Sequence, residues 1–207
     1  AMILKQRPRP QVDVVRADRP PTIDGRLDDA CWSGAAPIVH FARPALDKPV
    51  GQPTEAWLAW DDRCVYLAAR CTEPEPQRLR LQATRRDAEA YADDCVEFFV
   101  GRGDADYYQV VVNAAGTIYD GRGYDRSWDG DFETAAARGT GDWTLEIAMP
   151  WKTLAGDAPR PGETLRVLIG RNRTVESPGE VSTWPAAPGG SHHQPRLFAR
   201  GVLRGGS

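Results

Sequence analysis

The feature that most constrains the fold is a series of short segments in which apolar and polar residues alternate. In residues 143–149 every second side chain is apolar, while Thr144 and Glu146 would point to the opposite face of a strand. The chain also has 20 glycines and 17 prolines in 207 residues, which supply the turns between such strands. We predict an all-β fold: an antiparallel β-sandwich of the immunoglobulin-like or jelly-roll type, with about ten strands and one or two short helices.

The pattern places these elements along one domain. Strands are predicted at 11–16, 55–60, 64–71, 96–100, 107–113, 117–120, 143–149, 165–171 and 197–203, and helical segments at 27–36 and 150–154. Residues 1–18 are interpreted as a cloning remnant (Ala1, Met2) and an extended lead-in whose strand lies at a sheet edge. Residues 19–204 form the β-sandwich, and residues 205–207 form a flexible tail. Strands and helices do not alternate, which excludes Rossmann and TIM-barrel folds.

Composition and charge exclude several partner classes. The formal net charge of -3 and the scattered arginines give no electrostatic footprint for nucleic acid. No apolar run approaches the length of about 20 residues that a membrane helix needs. Four cysteines form no CxxC pair, so a zinc knuckle is not expected. They could be buried free thiols or two disulfides, although the odd spacing of Cys64 and Cys71 argues against a bond between those two.

Catalysis has no positive support in the residues. Glu97 and Glu146 resemble a glycosidase pair only in being carboxylates on strands, because nothing in the sequence brings them close together. The serines and cysteines lack a nucleophile-elbow context, and the three histidines have no metal-binding spacing. We therefore expect a protein that is not an enzyme.

Carbohydrate binding fits the residues better. In the segment 91–100 an acidic loop leads into a strand on which Glu97 alternates with aromatic and aliphatic side chains. Aromatic rings stack on the apolar faces of sugar rings, while charged and amide groups orient the hydroxyls. The predicted carbohydrate-binding residues are Tyr91, Glu97, Asn113, Arg171, Trp184 and His193.

Five motifs, in order, resemble carbohydrate-binding module family 9, a relative of the DOMON-type sandwiches. They are PTIDGRLDDACW at 21–32, DDCVEFF at 93–99, YYQ to NAAG at 107–116, WTLEIAMPW at 143–151, and a C-terminal set of Arg171, Thr183-Trp184 and His193-Gln194-Pro195 with Phe198. The resemblance runs from about Arg19 to Leu203. Each motif alone is weak, but five of them in this order are a strong signal.

The resemblance implies a non-catalytic module that clamps a mono-, oligo- or polysaccharide between two aromatic side chains. Tyr91 matches the first aromatic, where tryptophan is more usual, and Trp184 matches the second. Glu97 matches the acid in the next strand. The resemblance also implies structural calcium and no organic cofactor. Candidate calcium ligands near turns are Asp24, Asp28, Asp61, Asp93 and Asp120.

The protein is expected to be a piece of a larger exported protein, secreted, periplasmic or at the cell surface, and tethered to a catalytic or surface domain. Two alternatives stay open. One is a structural or docking domain that has lost sugar binding. The other is a haem-binding domain of the DOMON type, for which His40 or His193 would have to supply an axial ligand, since Met149 is interpreted as a core residue.

Overall fold

The computed structural model describes residues 9–44, 49–103, 106–154, 156–189 and 191–206, which form eleven strands and a few short helices. The strands are β1 (Gln11–Arg16), β2 (Thr54–Trp60), β3 (Cys64–Thr72), β4 (Cys95–Gly101), β5 (Tyr108–Asn113), β6 (Ile118–Arg122), β7 (Glu133–Arg138), β8 (Asp142–Pro150), β9 (Thr164–Arg173), β10 (Glu180–Trp184) and β11 (Ala199–Leu203). The α-helix α1 spans Ala30–Gly34, and 3₁₀ turns lie at Pro76–Arg78, Ala90–Ala92, Trp151–Leu154 and Pro195–Leu197. The predicted all-β class is confirmed. The predicted remnant at Ala1 and Met2 and the last tail residue, Ser207, lie outside the described residues.

The strands form two sheets that share β1. Sheet A has the order β6-β5-β4-β9-β11-β1, with β10 also paired to β9, and sheet B has the order β1-β2-β3-β8-β7. The first four residues of β1 run parallel to β11, and its last two residues run parallel to β2. Strand β1 is thus the terminal strand of each sheet, as the predicted edge position requires, and it connects the two sheets because its two parts pair with different strands.

The main core lies between the inner faces of the two sheets. Strand β8 contributes Trp143, Leu145, Ile147 and Met149, as its alternation predicts, and all four are fully buried. Strand β4 contributes Val96, Phe98 and Val100 from the opposite sheet. Because successive side chains on a strand point to opposite faces, this inner set fixes which residues face outward.

The outer face of sheet B is covered by the segment that precedes β2. Trp32 of α1 packs there on Ala59, Tyr66 and Ala148 in a second apolar cluster, and not in the main core. The helix is shorter than the predicted 27–36. The four cysteines are free, and three of them are buried, which confirms the thiol interpretation for Cys64, Cys71 and Cys95; Cys31 is half-buried. Within the described ranges, no helix has the length and apolar character needed to cross a membrane.

Candidate functional site

The candidate site is the outer face of sheet A, between two loop segments that cover the rest of that face. One segment carries the 3₁₀ turn Ala90–Ala92, which packs on Cys95, Val111 and Tyr119. The other follows β10 and reaches Phe198, which packs on Phe99 and Leu168. Between the two segments a stretch of the sheet stays open to solvent.

A pocket of about 300 Å³ lies in this opening. We call it the sheet A pocket; it is lined by Tyr91, Glu97, Gln109, Tyr119, Tyr124, Arg126, Asn172 and His193. Its least exposed lining residues are Glu97 and Gln109, at 5% and 6%, whereas Tyr124 is 77% exposed at the rim. The pocket thus has a polar floor and an aromatic rim.

Glu97 is held in place on the floor by three neighbours. Gln109 Nε2 donates to Glu97 Oε2 at 3.0 Å, and Asn172 Nδ2 donates to Glu97 Oε1 at 3.2 Å. His192 Nδ1 lies 3.3 Å from Oε2. A carboxylate offers about four acceptor positions, so Glu97 keeps capacity for hydroxyl donors that enter the pocket. Its orientation is set before any ligand arrives.

The position of His192 depends on Gly170 of β9. A Cβ atom built on Gly170 would lie 3.2 Å from the imidazole carbon Cε1 of His192, tighter than almost all real Cβ contacts. The missing side chain at Gly170 lets the imidazole lie against the sheet and approach Glu97. The glycine in the middle of β9 therefore allows the loop that carries His192 to pack closely against the strand.

Two aromatic pairs flank the floor. Tyr91 contacts Tyr119 edge to face, with ring centroids 5.1 Å apart, and its hydroxyl donates to Glu89 Oε1 at 3.2 Å. Tyr124 stacks on His193 at a centroid distance of 4.7 Å and an interplanar angle of 19°. Burial raises the pKa of both Tyr91 and Tyr119, so their hydroxyls stay protonated at neutral pH.

His193 is a neutral wall of the pocket. Its Nδ1 forms a 3.0 Å hydrogen bond with the hydroxyl of Tyr107, and its ring lies edge-on to Phe99. Burial lowers the pKa of His193 below its ordinary value, although the negative charge of Glu97 acts in the opposite direction. The neutral imidazole offers a flat surface and one ring nitrogen to a ligand.

The structure brings together three of the six predicted sugar-binding residues: Tyr91, Glu97 and His193. Asn113 is fully buried behind the loop, where its Nδ2 donates to Asp93 and its Oδ1 accepts from the backbone of Ala115 and Thr117. It stabilises the turn after β5 and does not line the pocket.

Arg171 and Trp184 lie on the inner face of sheet A, away from the pocket. Arg171 donates to the backbone oxygens of Pro53 at 3.0 Å and Thr72 at 2.7 Å, and it is 2% exposed. Trp184 pairs with Ile169 at the end of β10 and packs against the main core. Sheet A lies between Tyr91 and Trp184, so the structure does not bring the two rings of the predicted clamp together.

Sequence reasoning missed five lining residues: Gln109, Tyr119, Tyr124, Arg126 and Asn172. Strand parity is the signal that could have found part of this set. With Ile169 inward, Asn172 must point outward like Glu97, and Tyr119 lies opposite the outward Val111. Tyr124 and Arg126 are in a loop, for which the alternation of a strand gives no guide.

The five predicted calcium ligands are dispersed. Asp24 and Asp28 lie in the exposed segment before α1, while Asp61 accepts from the backbone of its own turn and from Tyr66. Asp93 accepts from Gln82, Ala83 and Asn113, and Asp120 from Arg86 and Gly130. Among the described residues, no group of three or more His, Cys, Asp or Glu could hold a metal ion. These five therefore do not fit a shared calcium site, and calcium binding stays a prediction with no ligand set.

A β-sandwich with an open pocket on one outer face is the architecture of a binding module. The family model described as "Carbohydrate family 9 binding domain-like" matches residues 23–206. The chain belongs to this family of non-catalytic carbohydrate-binding modules. No match was found among the curated proteins.

Solved structures share the fold at low sequence identity. A family 9 module from Caldicellulosiruptor kristjanssonii in complex with glucose is 20% identical, with a TM-score of 0.70 over 95% of this chain and 97% of that one. The same kind of module in complex with cellotriose is 21% identical, with a TM-score of 0.68 and 95% of each chain covered. A protein from Bacteroides uniformis is 16% identical, with a TM-score of 0.72 over 94% of this chain and 99% of that one.

Proposed function

We propose that the sheet A pocket binds a carbohydrate and that the chain has no catalytic role of its own. The observation that carries the proposal is the combination of a preoriented carboxylate, Glu97, with tyrosine rings on the walls of one pocket. Carbohydrates need this combination, because their ring faces are apolar and their edges carry hydroxyl donors and acceptors. The glucose and cellotriose complexes of family relatives support the same ligand class.

The expected contacts follow from the geometry of the pocket. Glu97 accepts hydrogen bonds from sugar hydroxyls, and Gln109 and Asn172 keep its carboxylate oriented. Tyr91 supplies a ring on one wall, and Tyr124, stacked on His193, supplies a second ring at the rim. The aromatic contact thus involves Tyr91 and Tyr124, in place of the pair of Tyr91 and Trp184 expected from the sequence.

The module belongs, in this proposal, to a larger exported protein that it anchors to carbohydrate. The support is its family membership, since a domain without catalytic residues gains a role when it holds an attached catalytic or surface domain near a glycan. Fractionation of cells that express the full-length parent protein tests this part. A parent protein that stays in the cytoplasm would contradict it.

Titration calorimetry with glucose and cellotriose tests the binding proposal. We expect binding by the native chain and a loss of about 100-fold in affinity for Glu97→Ala, because hydrogen bonds to a charged acceptor contribute about 1.5–3 kcal/mol each. Glu55→Ala is the matched control, since Glu55 lies half-exposed on sheet B and should leave affinity unchanged. Equal affinity of the native chain and Glu97→Ala would refute the site.

The haem alternative has little support from ligand placement. Met149 is fully buried in the main core, and His40 is exposed in a segment that does not line the pocket. His193 lines the pocket, but its Nδ1 is engaged by Tyr107. A Soret absorption band after addition of haem would favour this alternative over carbohydrate binding.

A further inference from the structure

The sheet A pocket carries charges of opposite sign at its two ends. Glu97 lies on the floor, while Arg126 is exposed at the rim. Arg126 follows a tight turn in which Arg122 and Asp125 form a backbone bridge. A Cβ on Gly121 would lie 3.0 Å from the backbone oxygen of Asp125, so the glycine permits this turn. The turn places Tyr124 and Arg126 beside the pocket.

The positive charge of Arg126 is not neutralised by an acidic side chain. In the part of the chain that the structure describes, no carboxylate lies within 4.0 Å of its guanidinium, whereas Arg122 reaches Asp106 at 3.4 Å. Asp125, the residue before Arg126, and Glu89, beside Tyr91, are engaged elsewhere. Asp125 accepts from the backbone and hydroxyl of Ser127, and Glu89 accepts from Tyr91.

Arg126 acts electrostatically on the walls of the pocket. Its positive charge lowers the pKa of Tyr91 and Tyr119, although burial raises the pKa of both by more. It also lowers the pKa of His193, and there burial acts in the same direction. These three residues belong to three different segments that surround the pocket. Because Arg126 also lines the pocket, its positive charge acts on the pocket as well as on the surrounding solvent.

A sugar bound in the pocket would have Glu97 at one edge of its ring and Arg126 at the opposite edge. If its hydroxyls reach Glu97 on the floor, the far edge of the ring lies at the rim, where Arg126 and Tyr124 are exposed. A guanidinium recognises a carboxylate by two parallel hydrogen bonds, which a neutral hydroxymethyl group cannot accept in the same way. Glu97 keeps its negative charge while Gln109, Asn172 and His192 hold its carboxylate at the floor, so an acidic group of the ligand must lie at the opposite edge of the ring, beside Arg126.

We propose that the sheet A pocket prefers a sugar that carries a carboxylate, such as a uronic acid, and that Arg126 is the residue that determines this preference. The inference rests on the proposed carbohydrate-binding function and deepens it by naming the substrate class. It requires only that the acidic group lie on the ring edge opposite the hydroxyls that Glu97 accepts. Recognition at the rim is exposed to solvent, so the effect is moderate and depends on salt.

The test uses two matched pairs of ligands with the full chain: glucuronate against glucose, and galacturonate against galactose, by titration calorimetry at low salt. We expect at least one uronate to bind about fivefold more tightly than its neutral counterpart. In Arg126→Gln this ratio should fall close to one. Arg138→Gln, which changes an exposed arginine on sheet B, should keep the ratio of the native chain.

Each outcome separates the two proposals. If neutral sugars bind as tightly as the uronates to the native chain, the acidic preference is refuted while carbohydrate binding stands. If a preference for uronates survives unchanged in Arg126→Gln, the assignment of Arg126 is refuted. If none of the four sugars, nor cellotriose, binds at millimolar concentration, the proposed function itself fails, and the inference fails with it. A ratio that falls in Arg126→Gln and in raised salt supports the inference.

Discussion

Glu97 and Glu146 occupy equivalent kinds of position in the two sheets, yet their surroundings differ. Each is an outward-facing glutamate on a central strand, and each is almost inaccessible to solvent. Glu146 accepts from the indole of Trp32 at 2.8 Å and from the backbone of Asp24 and Gly25 at 3.1 and 2.9 Å. Glu97 accepts from side chains and borders a pocket.

The difference lies in what covers each face. Residues before β2 close over Glu146 completely, so that its carboxylate fixes the turn at Asp24-Gly25 and the indole of Trp32 to the sheet. The two loop segments on sheet A stop short of meeting above Glu97. The same strand pattern therefore yields a structural anchor on one face and a candidate ligand acceptor on the other. A buried glutamate on a strand indicates function only when its face remains open.

The largest expected effect is a difference in stability between variants that remove one or the other of these two carboxylates. Glu146→Ala leaves three donors without an acceptor, of which the indole of Trp32 and the backbone of Gly25 are buried, and it should lower the free energy of unfolding by about 4 kcal/mol. Glu97→Ala should cost only about 1 kcal/mol, since its donors border an open pocket where water can replace the carboxylate. Urea unfolding of both variants measures the difference. Similar losses in the two would remove the basis of the comparison.

Tyr91 and Trp184, the two aromatic residues of the clamp predicted from the sequence, should differ in their effect on sugar affinity. Tyr91→Ala should weaken sugar affinity about tenfold, because a stacking ring on the pocket wall is lost. Trp184→Phe keeps an aromatic side chain against the main core and should change affinity less than about twofold. Calorimetry with cellotriose distinguishes them. A loss in Trp184→Phe that matches the loss in Tyr91→Ala would restore the original clamp.

The smallest effect is a dependence of stability on pH. Burial raises the pKa of Glu146 in the folded state, despite opposing hydrogen bonds from Trp32 and the backbone. A carboxyl with a raised folded pKa contributes its full stability below the ordinary glutamate pKa and loses it as pH rises through the raised value. The stability advantage of the native chain over Glu146→Gln should therefore be larger at acidic pH than at neutral pH, as thermal unfolding scans would measure. An advantage that grows with pH would contradict the assignment.

The sequence predicts the sheets well where alternation is strong. Strand β8 alternates tryptophan and aliphatic residues with polar ones, and its predicted faces are confirmed. Strand β7 was missed because its sequence, ETAAAR, lacks large apolar residues, and β10 because a proline follows it directly. The parallel pairing of β1 depends on distant strands, which local pattern cannot reveal.

The site was predictable only in part, for a related reason. The outward position of Glu97 can be predicted from the alternation of side chains along β4. The same alternation along β9, where Ile169 faces the core, predicts that Arg171 faces inward as well. The aromatic and charged rim comes from loops whose paths depend on tertiary contacts, such as the approach of His192 to Gly170. The order of the motifs along the chain identifies the family, whereas the residues that can reach a ligand depend on the face of the sheet to which each side chain points.

A crystal structure of the chain with bound cellotriose tests the central claim most directly. We expect a sugar ring in the sheet A pocket, with a hydroxyl within hydrogen-bond distance of Glu97 and the ring beside Tyr91 and Tyr124. A sugar bound elsewhere on the molecule, with the pocket left to water, would contradict it.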